Sequence, residues 1–278
     1  MGLLGCHVTG GVKGSPKNAH NLGVEVMQIF TRGPGQWKCK PLEEDSISKF
    51  KQEVKSFNIR CVMAHAIYLL NMASVDKTIR QKSEREFLIE MDRCEVLDIP
   101  YLVFHPGSYR NSTEKRGIRR LVSSLNRLLY QRPAHKVQIL IENTAGGGSL
   151  LGGNFEQIAT IRDQLEFPER VHVCFDTSHA YASGYDLSKP EGYRRIMDQF
   201  DSIIGLAHLK AFHLNDSKTA LSSRLDRHEN IGLGYISENT FAEIVNDPRF
   251  HLHPMTLETP GGEEWFRKNL ALLFKLRK

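Results

Sequence analysis

The stretch VHVCFDTSHA, residues 171–180, combines two patterns that together decide the fold. It begins with a largely apolar run that is typical of a strand buried on both faces. The carboxylate of Asp176 follows at the end of that run, and the imidazole of His179 comes three residues later. At this spacing Asp176 could cap the following turn, or both side chains could be metal ligands. The choice between these interpretations depends on the rest of the sequence.

Apolar runs of the same kind recur along the whole chain, with longer amphipathic segments between them. The predicted strands are 3–8, 26–31, 60–65, 101–106, 137–143, 171–176, 211–216 and 254–259. Strand–helix units that repeat without a linker or a change of composition predict an α/β fold, a single (β/α)8 TIM barrel over residues 1–278. The alternative is a doubly wound open sheet, which usually carries a glycine-rich nucleotide motif after its first strand. The segment TGGVKGSP (9–16) does not match that motif.

Three segments between the predicted strands have helical periodicity. The clearest is 74–98, where Ser74 is expected to cap the helix. Its predicted apolar stripe consists of Ile79, Phe87, Ile89, Met91 and Leu97. Segments 117–131 and 238–247 follow the same pattern.

The composition is that of a globular protein with a sizeable core, because 40% of the 278 residues are hydrophobic and 25% are charged. No apolar stretch approaches the roughly 20 residues that span a bilayer, and the first residues enter a predicted strand, so no membrane or secretion signal is expected. Five scattered cysteines without CxxC spacing predict reduced, buried thiols. We therefore expect an intracellular protein, in a bacterial cytoplasm or in a nucleus or mitochondrion. The formal net charge of +5 is compatible with a polyanionic partner without identifying one.

Ionisable side chains lie at the ends of most predicted strands, where the catalytic groups of a TIM barrel are found. From the third strand onward, with the loop after the seventh, they are His65, His105, Glu142, Asp176, His179, His213, Asp226, His228 and Glu258. His7 ends the first strand. Each residue taken alone is more often structural, since a strand-end histidine is usually hydrogen-bonded and a loop carboxylate is usually solvated. Their convergence on one barrel mouth favours a functional site.

Five His, two Asp and two Glu would make a crowded polar pocket unless cations bound them. Imidazoles and carboxylates without cysteine suit zinc or manganese in a catalytic setting. The set is too large for one tetrahedral ion and is about right for two or three ions with bridging carboxylates. Such clusters stabilise the attacking and leaving oxygens of phosphoryl transfer. Asp176 and His179 are therefore interpreted as ligands.

Several longer motifs resemble the endonuclease IV family of apurinic/apyrimidinic endonucleases. They are FHPGS (104–108), IENTAG (141–146), DTSHAYASGYD (176–186), HLNDSK (213–218), SRLDRHENIGLG (223–234), LET (257–259), AHAIYLLN (64–71) and FTRGPGQW (30–37). The resemblance covers essentially the whole chain and implies a TIM-type barrel with a trinuclear zinc centre, with Mn²⁺ possible at one or more positions. It also implies hydrolysis of the phosphodiester 5′ to an abasic site, which leaves a 3′-hydroxyl and a 5′-deoxyribose phosphate, and trimming of 3′ ends.

The resemblance further implies how the ligands are shared among the ions. His65, His105 and Glu142 would hold one zinc; Glu142, Asp176, His213 and Glu258 a second; His179, Asp226 and His228 the third. The catalytic residues are expected among these ligands, namely Glu142, Asp176 and Glu258, while His7 is expected beside the metals without binding them. Every ligand position holds the residue type that the family uses, which argues against a non-catalytic reader of DNA damage.

The partner implied by the resemblance is double-stranded DNA that contains abasic sites or blocked 3′ ends, bound by a monomer. The family flips the abasic nucleotide out of the helix and inserts loop side chains into the gap. The residues at matching DNA-contacting positions are Tyr68, Leu69, Arg32, Gln36 and Trp37. Gly35 is a departure, because family members often carry a basic residue before the Gln-Trp pair. Either Arg32 compensates, or the insertion of side chains at the lesion is weaker.

A sugar isomerase or epimerase of the xylose-isomerase-like barrels is the alternative enzyme. Such enzymes also place His, Asp and Glu at strand ends, but around one or two divalent ions. The extra ligands of SRLDRH (223–228) favour the nuclease. A metal assay distinguishes the two classes.

Overall fold

The computed structural model describes residues 1–278, and its centre is a closed barrel of eight parallel strands. The strands are β1 (Leu3–His7), β2 (Val26–Ile29), β3 (Cys61–His65), β4 (Tyr101–Phe104), β5 (Gln138–Glu142), β6 (Val171–Asp176), β7 (Leu209–His213) and β8 (Pro254–Leu257). Each strand pairs with its neighbours along the chain, and β1 also pairs with β8, which closes the barrel. The predicted (β/α)8 TIM barrel is confirmed.

Nine α-helices lie between and after the strands. They are α1 (Gly11–Leu22), α2 (Glu44–Ser56), α3 (Lys77–Val96), α4 (Glu114–Gln131), α5 (Phe155–Asp163), α6 (Thr177–Ser183), α7 (Pro190–Ile203), α8 (Glu238–Asn246) and α9 (Gly262–Leu276). The helices predicted over 117–131 and 238–247 correspond to α4 and α8. The loop between β7 and β8 contains a short antiparallel ladder that joins Asp216–Ser217 to His228–Glu229. No helix has the length and apolar character that crossing a membrane requires.

The start of α3 differs from the prediction. Asp76, rather than Ser74, caps the helix, because its carboxylate accepts hydrogen bonds from the backbone N–H groups of Thr78 and Ile79. The Ser74 hydroxyl instead accepts a hydrogen bond from the backbone N–H of Asp76. Ser74 therefore supports the cap from outside the helix.

The buried face of α3 also differs in part from the predicted stripe. Phe87, Met91 and Leu97 are buried as predicted, but Ile79 is exposed and Ile89 is only half-buried. The other buried positions within the helix are Ser83, Glu86, Glu90, Arg93 and Cys94. Much of the inner face of this helix is thus polar, which a search for apolar periodicity does not detect.

The five cysteines carry no disulfide. Cys6, Cys94 and Cys174 are buried, as predicted, whereas Cys39 and Cys61 are half-buried. Burial raises the pKa of the Cys6 thiol and of the Cys61 thiol to about 12, so these groups are neutral thiols near pH 7.

The interior of the barrel is layered because side chains two apart on a strand point to the same side. In β5, Ile139 and Ile141 belong to the large core cluster, whereas Leu140 lies inside the barrel. The inner apolar cluster consists of Met63, Val103, Leu140, Cys174 and Ala211. Two residues after each of these, at the end of the strand or directly beyond it, come His65, His105, Glu142, Asp176 and His213. The barrel interior therefore has an apolar layer, and a polar layer lies directly above it at the barrel mouth.

Candidate metal centre at the barrel mouth

The barrel mouth brings all nine predicted ligands together. Three groups of side chains have ligand atoms within 4.8 Å of one another: His65, His105 and Glu142; Glu142, Asp176, His213 and Glu258; Asp176, His179 and His228. Asp226 adjoins the last group, with Oδ2 3.1 Å from Nε2 of His179 and Oδ1 3.4 Å from Nε2 of His228. Glu142 is shared by two groups, which is the arrangement that a bridging carboxylate requires.

Glu142 lies at the centre of the cluster and is fully buried. Its Oε2 is 3.2 Å from Nε2 of His65 and 3.1 Å from Nε2 of His105. Its Oε1 is 3.1 Å from Nδ1 of His179 and 3.2 Å from Nδ1 of His213. Despite these short distances, no contact of Oε1 of Glu142 or of Nδ1 of His213 has the geometry of a hydrogen bond, so both atoms are buried without a hydrogen-bond partner. Because buried polar atoms are normally satisfied, these two atoms fit coordination to a cation.

Hydrogen bonds on the outer side of the imidazoles fix which nitrogen faces the centre. The Nδ1–H group of His65 donates to the carbonyl of Ala66 at 2.7 Å, so Nε2 faces the cluster. The Nε2–H group of His213 donates to Oε1 of Gln28 at 2.8 Å, so Nδ1 faces it. An imidazole whose other nitrogen donates in this way is held in the tautomer that binds a metal.

Gln28 is a functional residue that the sequence interpretation missed. Its side chain is fully buried, and its Nε2 donates to Nδ1 of His7 at 3.1 Å and to Oε1 of Glu258 at 2.6 Å. Its Oε1 accepts the bond from His213, so both polar atoms of the Gln28 amide are hydrogen-bonded within the site. Nδ1 of His7 lies 3.6 Å from Oε1 of Glu258, one of the predicted ligands. The available signal was an amide inside the apolar run VMQIF (26–30), because a polar group in a buried strand needs partners.

Asp176 combines the two roles that the sequence left as alternatives. Its Oδ1 accepts a hydrogen bond from the backbone N–H of His179 at 2.7 Å and thereby caps α6. Its Oδ2 accepts from Nδ2 of Asn215 at 2.7 Å and faces Nε2 of His228 at 3.8 Å and Nδ1 of His213 at 3.9 Å. The cap orients the carboxylate, and its second oxygen is left facing the centre.

Two buried asparagines, which the sequence interpretation also missed, support the ligands from behind. Oδ1 of Asn143 accepts from the backbone N–H of Asp176 at 2.7 Å, and its Nδ2 donates to the Asp176 carbonyl at 3.0 Å. Oδ1 of Asn215 accepts from the backbone N–H of Glu258 at 2.7 Å. The sequence could have indicated both asparagines by their closeness to predicted ligands. Asn143 follows Glu142 directly, and Asn215 follows His213 after one residue.

The electrostatics of the centre are those of a cation site. Burial alone would raise the pKa of Glu142, but the positive charge of His213 and His105 holds this pKa well below its ordinary value. Conversely, burial opposes the charged form of His179, yet Asp176 and the other carboxylates raise its pKa well above its ordinary value. The carboxylates therefore draw positive charge into a buried space, and a divalent ion that binds there replaces imidazole protons.

Exposure is graded across the cluster. The side chains of Glu142 and His213 are 0% exposed, whereas those of His105 and Asp226 are 36% and 51% exposed. A substrate therefore reaches the centre most readily from the side of His105 and Asp226.

The predicted DNA-contacting residues have different surroundings. Tyr68 is 65% exposed, and its ring packs edge-on against Phe30 and at a tilt against the imidazole of His65, with ring centroids 5.3 and 5.7 Å away. Gln36 is exposed, whereas Leu69 is half-buried and packs against the core. Tyr68 and Gln36 are therefore accessible at the surface, and Tyr68 lies beside the candidate metal centre.

Arg32 does not fit the prediction of a direct DNA contact. Its side chain is 1% exposed, and its Nη1 donates to Oε2 of Glu86 at 2.8 Å. Its Nη2 donates to the backbone carbonyls of Gln36 and Trp37 at 3.1 and 2.6 Å. The Trp37 ring is partly buried, with Nζ of Lys82 4.2 Å from its centroid. Arg32 supports the loop from within, so it cannot supply the positive charge that Gly35 lacks.

The fold and the site define the class of protein. A family model described as a xylose isomerase-like TIM barrel matches residues 16–276. A probable endonuclease 4 of Chloroflexus aurantiacus is 41% identical over 280 residues, which cover 99% of this chain and 98% of the relative. The crystal structure of endonuclease IV from Thermus thermophilus has a TM-score of 0.87 at 30% identity, covering 99% of this chain and 98% of that one. The chain belongs to the endonuclease IV family.

The likeness extends to sugar-converting enzymes at the level of the fold. A D-tagatose 3-epimerase-like protein has a TM-score of 0.75 at 17% identity and covers 99% of this chain and 96% of its own. At that identity the likeness shows a common barrel and carries no information about the reaction.

Proposed function

We propose that the protein is a zinc-dependent apurinic/apyrimidinic endonuclease that acts on double-stranded DNA. It hydrolyses the phosphodiester 5′ to an abasic site, leaves a 3′-hydroxyl and a 5′-deoxyribose phosphate, and trims blocked 3′ ends. The proposal is supported by the printed names of the endonuclease IV relatives and by the composition of the barrel mouth. A monomeric state and an intracellular location stay predictions.

The observation that carries the proposal is the pair of buried, unpartnered atoms at the centre of nine converging donors, Oε1 of Glu142 and Nδ1 of His213. A donor set of imidazoles and carboxylates without thiolate suits zinc, with manganese as the alternative ion. Three ions fit the three groups if Asp176, which belongs to two of them, is assigned to the second and Asp226 completes the third. His65, His105 and Glu142 would hold one; Glu142, Asp176, His213 and Glu258 a second; His179, Asp226 and His228 the third.

When bound, the ions supply Lewis-acid chemistry, which acidifies water and offsets the charge of the phosphodiester. The residues of the chain make that chemistry possible by their placement. Glu142, Asp176 and Glu258 supply the negative charge that keeps cations close together, so hydrolysis depends on them. The open side formed by His105 and Asp226 admits a phosphate, while the buried carboxylates are kept away from bulk water.

We assign recognition of the abasic site to exposed side chains around the barrel mouth. Extruding a nucleotide costs a few kcal/mol and costs least where base pairing is already lost, so an abasic site is the easiest to open. Tyr68 projects at the rim next to His65 and can fill the gap that the missing base leaves. Contact with the exposed Gln36 would extend this surface.

The alternative, a sugar isomerase, rests on the shared barrel alone. The donors around Asp226 and His228 exceed what one or two divalent ions require, which favours the nuclease. Three zinc ions per chain would exclude the alternative, and one divalent ion per chain would favour it.

The test is cleavage of a duplex that carries one tetrahydrofuran abasic analogue, which resists β-elimination and therefore reports hydrolysis. Zinc-loaded wild type is compared with Glu142→Ala and with Asp247→Asn. Asp247 is a matched control, because its carboxylate is buried but accepts from the Tyr193 hydroxyl and pairs with Arg249 outside the centre.

We expect wild type and Asp247→Asn to cut 5′ to the analogue and to leave an extendable 3′-hydroxyl. Glu142→Ala should lose both cutting and zinc. Zinc-loaded wild type that leaves the duplex intact would contradict the proposed function, and equal cutting by Glu142→Ala would contradict the metal assignment.

A further inference from the structure

One face of α3 carries four ionisable residues that contact the rim loops. Lys82, Glu86, Glu90 and Arg93 are spaced by four, four and three residues, which places them on one side of a helix. We call this set the polar stripe of α3, and residues 31–40, which follow β2, the 31–40 loop.

The stripe holds the 31–40 loop at several places. Nη1 of Arg93 donates to the carbonyl of Lys40 at 3.0 Å, while its Nε and Nη2 donate to Oγ1 and to the carbonyl of Thr31. Lys82 covers the ring of Trp37 between those two positions. One arginine of the helix thus fastens both ends of the loop, and one lysine covers its middle.

A second arginine, Arg32, belongs to the loop and contacts the helix. Arg32 pairs with Glu86, whose side chain is 5% exposed, and donates to the carbonyls of Gln36 and Trp37. The segment that these bonds enclose is Gly33–Pro34–Gly35, which has no polar side chain of its own to fix its path. Arg32 is therefore the side chain that holds the segment, in addition to the backbone hydrogen bonds from Gln36 N–H to the Gly33 carbonyl and from Tyr68 N–H to the Pro34 carbonyl.

Glu90 extends the same network to the loop that carries Tyr68. Its side chain is 1% exposed, its Oε1 accepts from the backbone N–H of Ile67 at 3.2 Å, and the same oxygen lies 4.0 Å from Nε of Arg32. The backbone N–H of Tyr68 in turn donates to the carbonyl of Pro34 at 3.3 Å. The two rim loops are therefore joined to each other and to one helix face.

Packing alone does not require this arrangement. Burying charged groups carries a desolvation penalty, and apolar residues of similar size often hold two elements together as well or better. Oε2 of Glu90 and Nε of Arg32 are buried without a hydrogen-bond partner, so part of that penalty is not offset. Directional charged bonds do fix one geometry of a loop, which is what a recognition surface needs.

We propose that Arg32, Glu86, Glu90 and Arg93 are positioning residues for strand incision, which hold the 31–40 loop and Tyr68 as one preformed lesion-binding surface. The inference rests on the proposed function and adds residues that touch neither metal nor DNA. A preformed surface loses little conformational entropy on binding. Loosening it should therefore weaken DNA binding more than it slows the chemical step.

The test compares Glu86→Gln with Glu84→Gln, a matched control on the same helix. Glu84 also pairs with an arginine, Arg127 of α4, and accepts from the Ser124 hydroxyl, but it has no bond to either rim loop. For Glu86→Gln we expect the KM for the tetrahydrofuran duplex to rise roughly tenfold while kcat stays within about twofold. Zinc content should equal that of wild type, and Glu84→Gln should match wild type in both constants.

A spectroscopic readout tests the loop without DNA. The chain has two tryptophans, so Trp265→Phe leaves Trp37 as the single reporter within the 31–40 loop. In that background, Glu86→Gln and Arg32→Lys should each increase quenching of Trp37 by acrylamide, whereas Glu84→Gln should not. Arg32→Lys is informative because it keeps the charge but cannot reach Glu86 and two carbonyls at once.

Each outcome separates this inference from the proposed function. If wild type fails to cut the duplex, the proposed function is contradicted. Quenching of Trp37 still reports whether Glu86 holds the loop. Wild type that cuts, with Glu86→Gln indistinguishable from Glu84→Gln in KM and in quenching, overturns the inference alone. A fall in kcat and zinc content in Glu86→Gln overturns it as well, because Glu86 would then act on the metal centre.

Discussion

Single residues of the centre are oriented by neighbours that donate or accept on the side away from the space between the carboxylates. Gln28 is the clearest case, because one amide contacts His7, His213 and Glu258. Its carbonyl oxygen fixes the tautomer of His213, and its N–H groups restrain Glu258. Metal affinity should therefore depend on a residue that binds no metal.

We predict that Gln28→Ala lowers zinc affinity about 10–100-fold, the range found when outer partners of metal ligands are removed. Competition with a chromogenic chelator measures this affinity. Gln138→Ala, at the start of β5 and thus at the other end of the barrel, is the control and should retain wild-type affinity. Equal affinities in the two variants would contradict the role assigned to Gln28.

Glu90 allows a prediction about pH. Burial raises its pKa to about 7, although the Ile67 N–H and Arg32 partly offset the effect. An acid whose pKa is raised on folding stabilises the folded state below its unfolded pKa, and this contribution is lost as pH rises through the folded pKa. Between its ordinary value of 4.5 and about 7, the loss is on the order of 3 kcal/mol.

Glu90→Gln removes that titration, so the variant should gain stability relative to wild type as pH rises from about 5 to about 8. Urea unfolding of both proteins across this range measures the difference. Free energies of unfolding that run parallel for the two proteins would show that Glu90 does not titrate there. A variant that is more stable at the upper pH and yet binds the abasic duplex less well would show that the buried charge serves positioning.

At the scale of elements, the 31–40 loop carries Gly35 at the position where the resemblance led us to expect a basic residue. Arg32 is buried, so its charge is not presented beside Gly35, and the exposed basic residues of the loop, Lys38 and Lys40, follow Trp37 in the sequence. A Cβ atom at Gly35 would meet nothing within 4 Å, and its backbone does not require glycine. The loop can therefore accept a larger side chain without rearrangement.

We predict that Gly35→Arg lowers the KM for the abasic duplex several-fold and steepens its salt dependence by about one counterion, because one more cation faces the phosphates. Titrations at several salt concentrations measure both effects. Gln164→Arg adds the same charge after α5, at the opposite end of the barrel, and should leave the slope unchanged. An identical slope for Gly35→Arg would show that residue 35 does not approach DNA.

The sequence predicted every barrel strand, and the departures have identifiable causes. The ends of β2, β4, β7 and β8 were placed two or three residues too late, because the prediction included residues that already belong to the following loops or, after β7, to the short ladder. The strand β7 begins at Leu209 rather than at residue 211, because Lys210 interrupts its apolar run. Strand periodicity and residue type were sufficient to predict which residues are donors at the barrel mouth. They did not suffice for Gln28 or the polar stripe of α3, whose partners are remote in sequence.

At the scale of the whole molecule, the centre ties the barrel together. Six of its nine proposed ligands lie at the ends of six successive strands or directly follow them, from His65 to Glu258, while His179 lies in α6 and Asp226 and His228 lie in the loop after β7. Ions bound only by the folded state stabilise it by mass action, by about 4 kcal/mol at a thousandfold excess over Kd. The metal-free protein retains a buried cluster of carboxylates that only imidazole protons can neutralise.

We predict that chelation lowers Tm, and by more at about pH 8 than at about pH 6. The neighbouring carboxylates raise the pKa of His179 above its ordinary value against the effect of burial, so its stabilising protonation is lost as pH rises. Metal binding strengthens over the same range, because fewer protons compete. Calorimetry with and without chelator at both pH values measures the loss of Tm on chelation. A loss of Tm that is smaller at the higher pH would contradict this account.

The order of the strands has a consequence for synthesis of the protein. The strand β8 inserts between β1 and β7, and Glu258 follows it directly, whereas Gln28 and His7 belong to the first strands. A nascent chain on the ribosome therefore holds most of the donors long before it can assemble the centre. The proposed centre can be complete only after β8 and Glu258 have been synthesised, and a fragment that ends before β8 can neither close the barrel nor bring all nine donors together.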